Sequence, residues 1–449
     1  MFVPALVRKS SLYPGLIFAL SFAPLTHAQN TAVQPGFGQP AKDPGVRSGA
    51  PGAGNPIAGL TGDQLAAFTA GQTTFQEVDS VSGTIAGETG AGLGPSFNMN
   101  SCSGCHAFPA FGGSSPTTNP QVALATAHGA KNTVPAFITA NGPVREVRFQ
   151  RNPDGSPDGG VHDLFVITGR TDAPASCQMP QTDFGTPAAR GNLSFRIPTP
   201  TFGGGLIEAI PDATILANKT ANGGLKAIFG ISGHENRTGN DGTITRFGWK
   251  AQNKSLMIFA GEAYNVEQGV TNLVFPNARQ TAAGCETNGH PEDQDDVAAF
   301  ASFMRFLAPP APVTSYGNVS SASIQHGHDL FVQSACVLCH TESLTTGASS
   351  TGALSNQTAR LFSDLLVHNM GTLADGISQG NAAGDEFRTA PLWGFGQRIF
   401  LLHDGRTTDL LQAIQAHASQ GSEANQSIGA FNHLTEANKQ DILNFLRSL

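Results

Sequence analysis

The 449-residue chain carries 25 Lys and Arg against 33 Asp and Glu, a formal net charge of −8, and only 13% of its residues are charged. That balance argues against nucleic acid or an anionic membrane surface as a partner. With 53 glycines and 28 prolines, much of the backbone must run in turns and loops. That suits a core completed by a large buried group.

In chain order, the first residues read as a secretory signal. Arg8 and Lys9 form a basic start, residues 16–20 lie in an apolar run, and Thr26-His27-Ala28 offers a small-residue cleavage site. Tyr13, Pro14 and Pro24 interrupt the run, which is too short for a membrane span. Residues 1–28 are therefore expected to be removed on export to the periplasm, leaving a protein without a membrane span. Residues 29–60, rich in Pro, Gly, Ala and Asn, read as a disordered leader or a wrapping arm.

A first folded domain is expected over residues 61–308. Thr61 and Gln64 form a capping-box pattern before a helix carrying Leu65 and Phe68. Residues 144–149 alternate like a strand. The turn cluster 152–159 separates them from a second strand over 161–167, so a hairpin is expected. A helix or strand falls near residues 206–210. Pro291 then opens a helix whose first turns are loaded with Glu292, Asp293, Asp295 and Asp296. Val297, Phe300, Met304 and Leu307 make its apolar stripe, and Pro309 and Pro310 end it.

Residues 309–319 read as a linker and 320–449 as a second domain. A helix from about Ser321 carries Ile324, Leu330 and Phe331; a closing helix after Thr435 carries Ile442, Phe445, Leu446 and Leu449. Phe303-Met304-Arg305-Phe306-Leu307 and Phe445-Leu446-Arg447-Ser448-Leu449 match as Phe-x-Arg-x-Leu. The fold class expected is mainly α with loop-rich and small β insertions, arranged as two cytochrome c-like domains in tandem, the first enlarged.

The chemistry sits in two stretches of one spelling, Cys102-Ser103-Gly104-Cys105-His106 and Cys336-Val337-Leu338-Cys339-His340. Cys-x-x-Cys-His is the attachment signature of c-type haem: two thiols one turn apart add to the porphyrin, and the adjacent histidine becomes the proximal iron ligand. Two Cys-x-x-Cys pairs sharing one zinc would need no histidine after the second cysteine, so this reading fits less well. Cys102, Cys105, Cys336 and Cys339 are thus assigned to two haems, with His106 and His340 as iron ligands. The remaining Cys177 and Cys285 most simply form a disulfide in an oxidising compartment.

Proton-coupled chemistry at an iron needs an acid/base nearby. His128, His162, His234 and His290 are available in the first domain, and His162 is favoured. A hydrogen-bonded strand histidine explains that residue equally well. Glu208 lies in the apolar run Leu206-Ile207-Glu208-Ala209-Ile210 and is the candidate distal acid/base, against an amphipathic surface element at even odds. Trp249 or Trp393 would suit an electronic bridge between haems, although a lone tryptophan is more often core.

From Cys336 onward the chain resembles the di-haem cytochrome c peroxidase superfamily, through His368-Asn369-Met370-Gly371, Phe387-Arg388-Thr389-Ala390-Pro391 and His403-Asp404-Gly405-Arg406. The whole chain is similar to the branch of di-haem oxidoreductases described as putative peroxidases. The matching stretches include Gly142-Pro143-Val144-Arg145-Glu146, Gly159-Gly160-Val161-His162, Gly205-Leu206-Ile207-Glu208-Ala209-Ile210 and Arg246-Phe247-Gly248-Trp249-Lys250.

The resemblance implies a sixth ligand for the second haem twelve residues past Gly405, which is His417, where those peroxidases commonly have methionine. Two imidazoles would lower the reduction potential relative to a thioether. Met370 is expected to pack beside that haem. The resemblance also allows Ca2+ between the domains near Thr389, a small periplasmic electron donor (a cytochrome c or a cupredoxin), and peroxide as oxidant. Two other activities stay open: oxidation of an organic or protein substrate, and electron carriage without catalysis.

Overall fold

In both halves of the molecule an incoming helix crosses a closing helix at a glycine. The computed structural model describes residues 39–125, 127–285 and 294–449. The expected signal segment, the start of the leader, His290, Pro291, Glu292 and Asp293 lie outside the described residues. Among those described there are thirteen α-helices and eleven strands, and no strand exceeds four residues, so helices carry the core. No helix among them is long and apolar enough to cross a membrane.

The helix Gly62–Gln76 begins with the expected capping box between Thr61 and Gln64. It packs on Gln294–Phe306, whose Val297, Phe300 and Met304 are buried with Leu307 just beyond. Leu65 is exposed; the inward face is instead Phe68, Gly71 and Phe75. A Cβ on Gly71 would stand 2.3 Å from the carbonyl oxygen of Ala299, so only glycine permits this crossing.

The second pair is Ser321–Gln333 on Glu436–Ser448. Here a Cβ on Gly327 would stand 1.9 Å from the carbonyl oxygen of Asp441. Four residues after each glycine comes a buried phenylalanine facing the closing helix: Phe75 lies 4.8 Å from Phe303, and Phe331 lies 5.5 Å from Phe445. The same two rings approach the histidines of the motifs, Phe75 at 6.0 Å from His106 and Phe331 at 6.1 Å from His340. Burying each ring contributes roughly 1.5–3 kcal/mol. The Phe-x-Arg-x-Leu echo thus marks equivalent places in two helix pairs.

The hairpin forms, with Val147 opposite His162 and Arg148 opposite Val161. Leu193–Arg196 adds a third strand on the other side of Glu146–Phe149. Phe165–Val166 leaves the hairpin and pairs with Ser96–Phe97, next to the first motif. Residues 206–210 fall mostly in the short helix Gly204–Glu208. Unforeseen was the helix Leu256–Gln268, which packs on Gln294–Phe306 and carries Glu262 and Glu267. Cys177 and Cys285 form the disulfide, joining segments 108 residues apart.

Residues 39–60 run as an arm across both helix pairs. Asp43 binds the buried Arg447 guanidinium at 2.6 and 2.9 Å, and the Ile57 N–H donates to Phe306 at 2.7 Å. Residues 309–319 lie against the closing helix: the Val313 N–H donates to Ser448, and the Tyr316 hydroxyl donates to Asn444. From Gln39 onward the chain packs as one unit.

Gly71→Ala is expected to destabilise the protein by about 1–3 kcal/mol, because the backbone of Ala299 must be displaced. Gly62→Ala, in the same helix with open space around it, should be neutral or stabilising by up to about 1 kcal/mol. Urea unfolding of the two variants checks this, and equal effects would contradict the crossing argument.

Candidate functional site

His106 follows the short helix Cys102–Cys105, and its Nδ1 lies 3.0 Å from the Gly113 carbonyl oxygen. A carbonyl can only accept, so Nδ1 carries the proton and the Nε2 lone pair is left for a metal. Burial pushes the imidazole pKa down to about 4, so the ring is neutral at physiological pH. Burial also raises the thiols of Cys102 and Cys105.

The second motif repeats this. His340 Nδ1 donates to the Phe362 carbonyl at 3.0 Å, and burial pushes the ring pKa to about 4. Burial pushes the Cys336 thiol up to about 12. The cavity beside this motif is lined by Cys336, Cys339, His340 and His417. His417 Nδ1 donates to the Ala413 carbonyl at 2.8 Å, again leaving Nε2, and burial lowers its pKa. Two neutral imidazoles with matching tautomers therefore face one cavity.

Whether a haem suits this cavity is tested by its charged lining. Arg388 and Arg398 are buried here, and neither is paired with a carboxylate among the described residues. Arg388 Nε donates to the Gly248 carbonyl, but its Nη1 is buried without a partner. Burial drops both guanidiniums to about 10. An unpaired buried charge is costly. An apolar ring carrying two carboxylates removes that cost, and two thiols and two imidazoles meet the rest of its needs. The residues present fit haem.

The cavity beside His106 is different. Its lining includes Cys105, His106, Arg148, Glu146, Glu262 and Glu267, and no second imidazole. Glu146 accepts from Arg148 Nε at 2.7 Å, and Glu262 accepts from Asn253 Nδ2. Burial, reinforced by Glu146 and Glu262, raises the Glu267 carboxyl to about 8, so it is largely protonated at pH 7. A protonated carboxyl in a cavity facing a metal-ready imidazole is equipped to deliver a proton.

Neither acid/base candidate from the sequence lines either cavity. Glu208 accepts from Arg305 Nε at 2.6 Å and from the Leu256 N–H at 2.8 Å, joining three helices. The run that made it suspicious is a helix whose one polar residue caps and pairs with its neighbours. His162 stacks on Phe149 at 3.6 Å and pairs with Asp158 at 3.0 Å, as the hydrogen-bonded strand alternative expects. The sequence signal for Glu262 and Glu267 is that they are the only charged residues of the helix Leu256–Gln268, and Glu146 lies in a stretch that carries the family resemblance.

Trp249 lines both cavities, its indole N–H donating to the Ile197 carbonyl at 3.0 Å. Trp393 packs against Gly203 and lines neither. Met370 packs with Ile197, Trp249 and Phe387 on the rim of the His340 cavity. The Thr389 carbonyl accepts from Ser363 Oγ at 2.5 Å.

A family model described as "Di-haem oxidoreductase, putative peroxidase" matches residues 156–449. The match thus covers the second motif and starts after the first. No curated protein matches. Among solved structures, the chain is similar to a hydrazine synthase of Kuenenia stuttgartiensis at 13% identity and a TM-score of 0.35, over 96% of this chain and 100% of that one. It is also similar to a MauG-like protein associated with microbial copper homeostasis at 17% identity and a TM-score of 0.28, over 54% of this chain and 89% of that one.

The raised Glu267 carboxyl has a definite sign in stability. A carboxyl that binds its proton more tightly when folded favours the folded state below its ordinary value of 4.5, and this contribution is lost as pH rises through about 8. Glu267→Gln should therefore shrink the fall in Tm between about pH 5 and pH 8.5, which calorimetry at the two pH values measures. An unchanged fall would mean that Glu267 ionises normally.

Proposed function

Starting from a chain that belongs to the family of di-haem oxidoreductases described as putative peroxidases, we propose that it is a periplasmic peroxidase-type enzyme with two covalently attached haems c. The His340 site would relay electrons from a small redox donor, a cytochrome c or a cupredoxin. The His106 site would carry the reduction of peroxide. The overall reaction takes two electrons and two protons per hydrogen peroxide and yields two waters.

The observation that carries this reading is the inequality of the two cavities. One is lined by four imidazoles, of which His340 and His417 each tie Nδ1–H to a backbone carbonyl and leave Nε2 free; the other is lined by one, His106, with Glu267, Glu262, Glu146 and Arg148. Haem bound at these places supplies one-electron redox changes and an iron position open to a small oxidant.

The protein's own part follows from its residues. Burial holds the two motif rings neutral, and the Gly113 and Phe362 carbonyls fix their tautomer and orientation. His417 would be a second iron ligand on the relay side, and Arg388 and Arg398 would hold the carboxylates of the group bound there. Glu267 keeps a proton at neutral pH for the departing oxygen, and Arg148 favours the negative charge that develops as the O–O bond breaks. Trp249 is the side chain common to both cavities and fills the space between them with an aromatic ring.

Carbon monoxide added to the fully reduced protein should bind one haem of the two. His417→Ala should open the second. Glu267→Gln should lower peroxide turnover with a reduced cytochrome donor by roughly 10²–10⁴-fold while leaving carbon monoxide binding intact. No carbon monoxide binding in the native protein, with no peroxide turnover after pre-reduction, would leave an electron carrier instead.

A further inference from the structure

Beside the second motif lies a buried cluster that the proposed chemistry does not use. His368 is held between two carboxylates: its Nδ1 is 2.7 Å from Glu423 Oε2 and its Nε2 is 2.9 Å from Asp364 Oδ2. The ring is 2% exposed, Asp364 is fully buried, and the Glu423 side chain is 11% exposed. The same Nδ1 stands 3.8 Å from Cys339 Sγ.

Several contacts fix this cluster to the attachment loop. The Asp364 N–H donates to the Cys339 carbonyl at 2.9 Å. Glu423 also accepts from the Ser232 N–H at 2.8 Å and from the Asn369 N–H at 3.3 Å. Gly233 lies flat on the imidazole, where a Cβ would come within 2.1 Å of the ring.

The charge of the cluster does not depend on where its proton sits. Two carboxylates with an imidazolium sum to −1. One carboxylate, one carboxylic acid and a neutral imidazole also sum to −1. No Lys or Arg side chain bonds to either carboxylate among the described residues. A negative charge fixed in a low-dielectric interior acts on a neighbouring redox centre far more strongly than one in water.

We propose that the Asp364–His368–Glu423 cluster is a built-in electrostatic tuner that lowers the reduction potential of the haem attached through Cys339. It favours the oxidised iron, which carries one more positive charge than the reduced iron, and so makes the relay site the stronger reductant toward the His106 site. These are positioning residues, acting through the covalent link at Cys339. The inference rests on the proposed haem attachment, and not on peroxide being the substrate.

Glu423→Gln and Asp364→Asn each keep an oxygen to accept the imidazole N–H and remove one negative charge. In a spectroelectrochemical titration of the full protein, each should raise the reduced-to-oxidised ratio of the low-spin haem about tenfold at fixed ambient potential, ~59 mV for one electron. The other haem should shift less. Glu342→Gln removes a carboxylate that is 47% exposed and paired with His328; solvent and salt screen it, and its effect should be small.

Should Asp364→Asn fail to accumulate, the more peripheral Glu423→Gln carries the test. An unchanged ratio in a variant with normal haem content and spectrum overturns the tuner, as does a shift no larger than that of Glu342→Gln. Titration without peroxide or donor keeps this apart from the proposed enzymatic activity. Absence of a c-type haem spectrum in the native protein would overturn the attachment reading, and the tuner with it.

Discussion

One hydrogen bond recurs at His106, His340 and His417, three of the five histidines that line the cavities: an imidazole Nδ1–H donating to a backbone carbonyl, of Gly113, Phe362 or Ala413. It decides the tautomer, the ring orientation and the free nitrogen together. Burial then keeps each ring uncharged, because no carboxylate bonds to it that would favour the imidazolium. His368 shows the opposite arrangement a few residues away, with carboxylates on both nitrogens. The same side chain therefore offers a free nitrogen or carries charge according to its partners alone.

Placing those rings depends on close helix crossings. Gly71 and Gly327 let the incoming helices approach until Phe75 and Phe331 reach both the closing helix and the motif histidine. The arginine of each Phe-x-Arg-x-Leu segment is then tied differently. Arg305 binds Glu208, while Arg447 binds Asp43 of the N-terminal arm. One repeated skeleton thus supports two unlike surroundings.

The surroundings differ chiefly in how buried charge is balanced. Around His340 a mostly apolar lining holds two guanidiniums that bind no carboxylate among the described residues, while its one carboxylate, Glu423, is bound to His368. Around His106 three carboxylates share a cavity with Arg145, Arg148 and Arg196. Burial, reinforced by the neighbouring Glu146 and Glu262, is why Glu267 retains its proton. The proposed asymmetry of function rests on this asymmetry of charge.

Much of what depends on neighbours along the chain was legible in the sequence, the helix Leu256–Gln268 excepted. Both Cys-x-x-Cys-His motifs, the Thr61 capping box, the hairpin and the amphipathic closing helices are local patterns with periods of two to four residues. His417 was reached through a spacing that the family resemblance supplies, and the structure puts it in the same cavity as His340. Glu208 misled because an isolated carboxylate in an apolar run looks the same whether it is a cap and ion-pair partner or a catalytic acid. Its meaning lay in Arg305 and the Leu256 N–H, 97 and 48 residues away. Glu146, Glu262 and Glu267 meet only because a strand and a distant helix enclose one cavity, and Glu423 meets His368 across 55 residues. The sequence by itself determined that two Cys-x-x-Cys-His motifs exist and which side chains they contain. Only the tertiary structure decided that the two are unequal, because electrostatic environment is set by what folds alongside a residue and not by what precedes it.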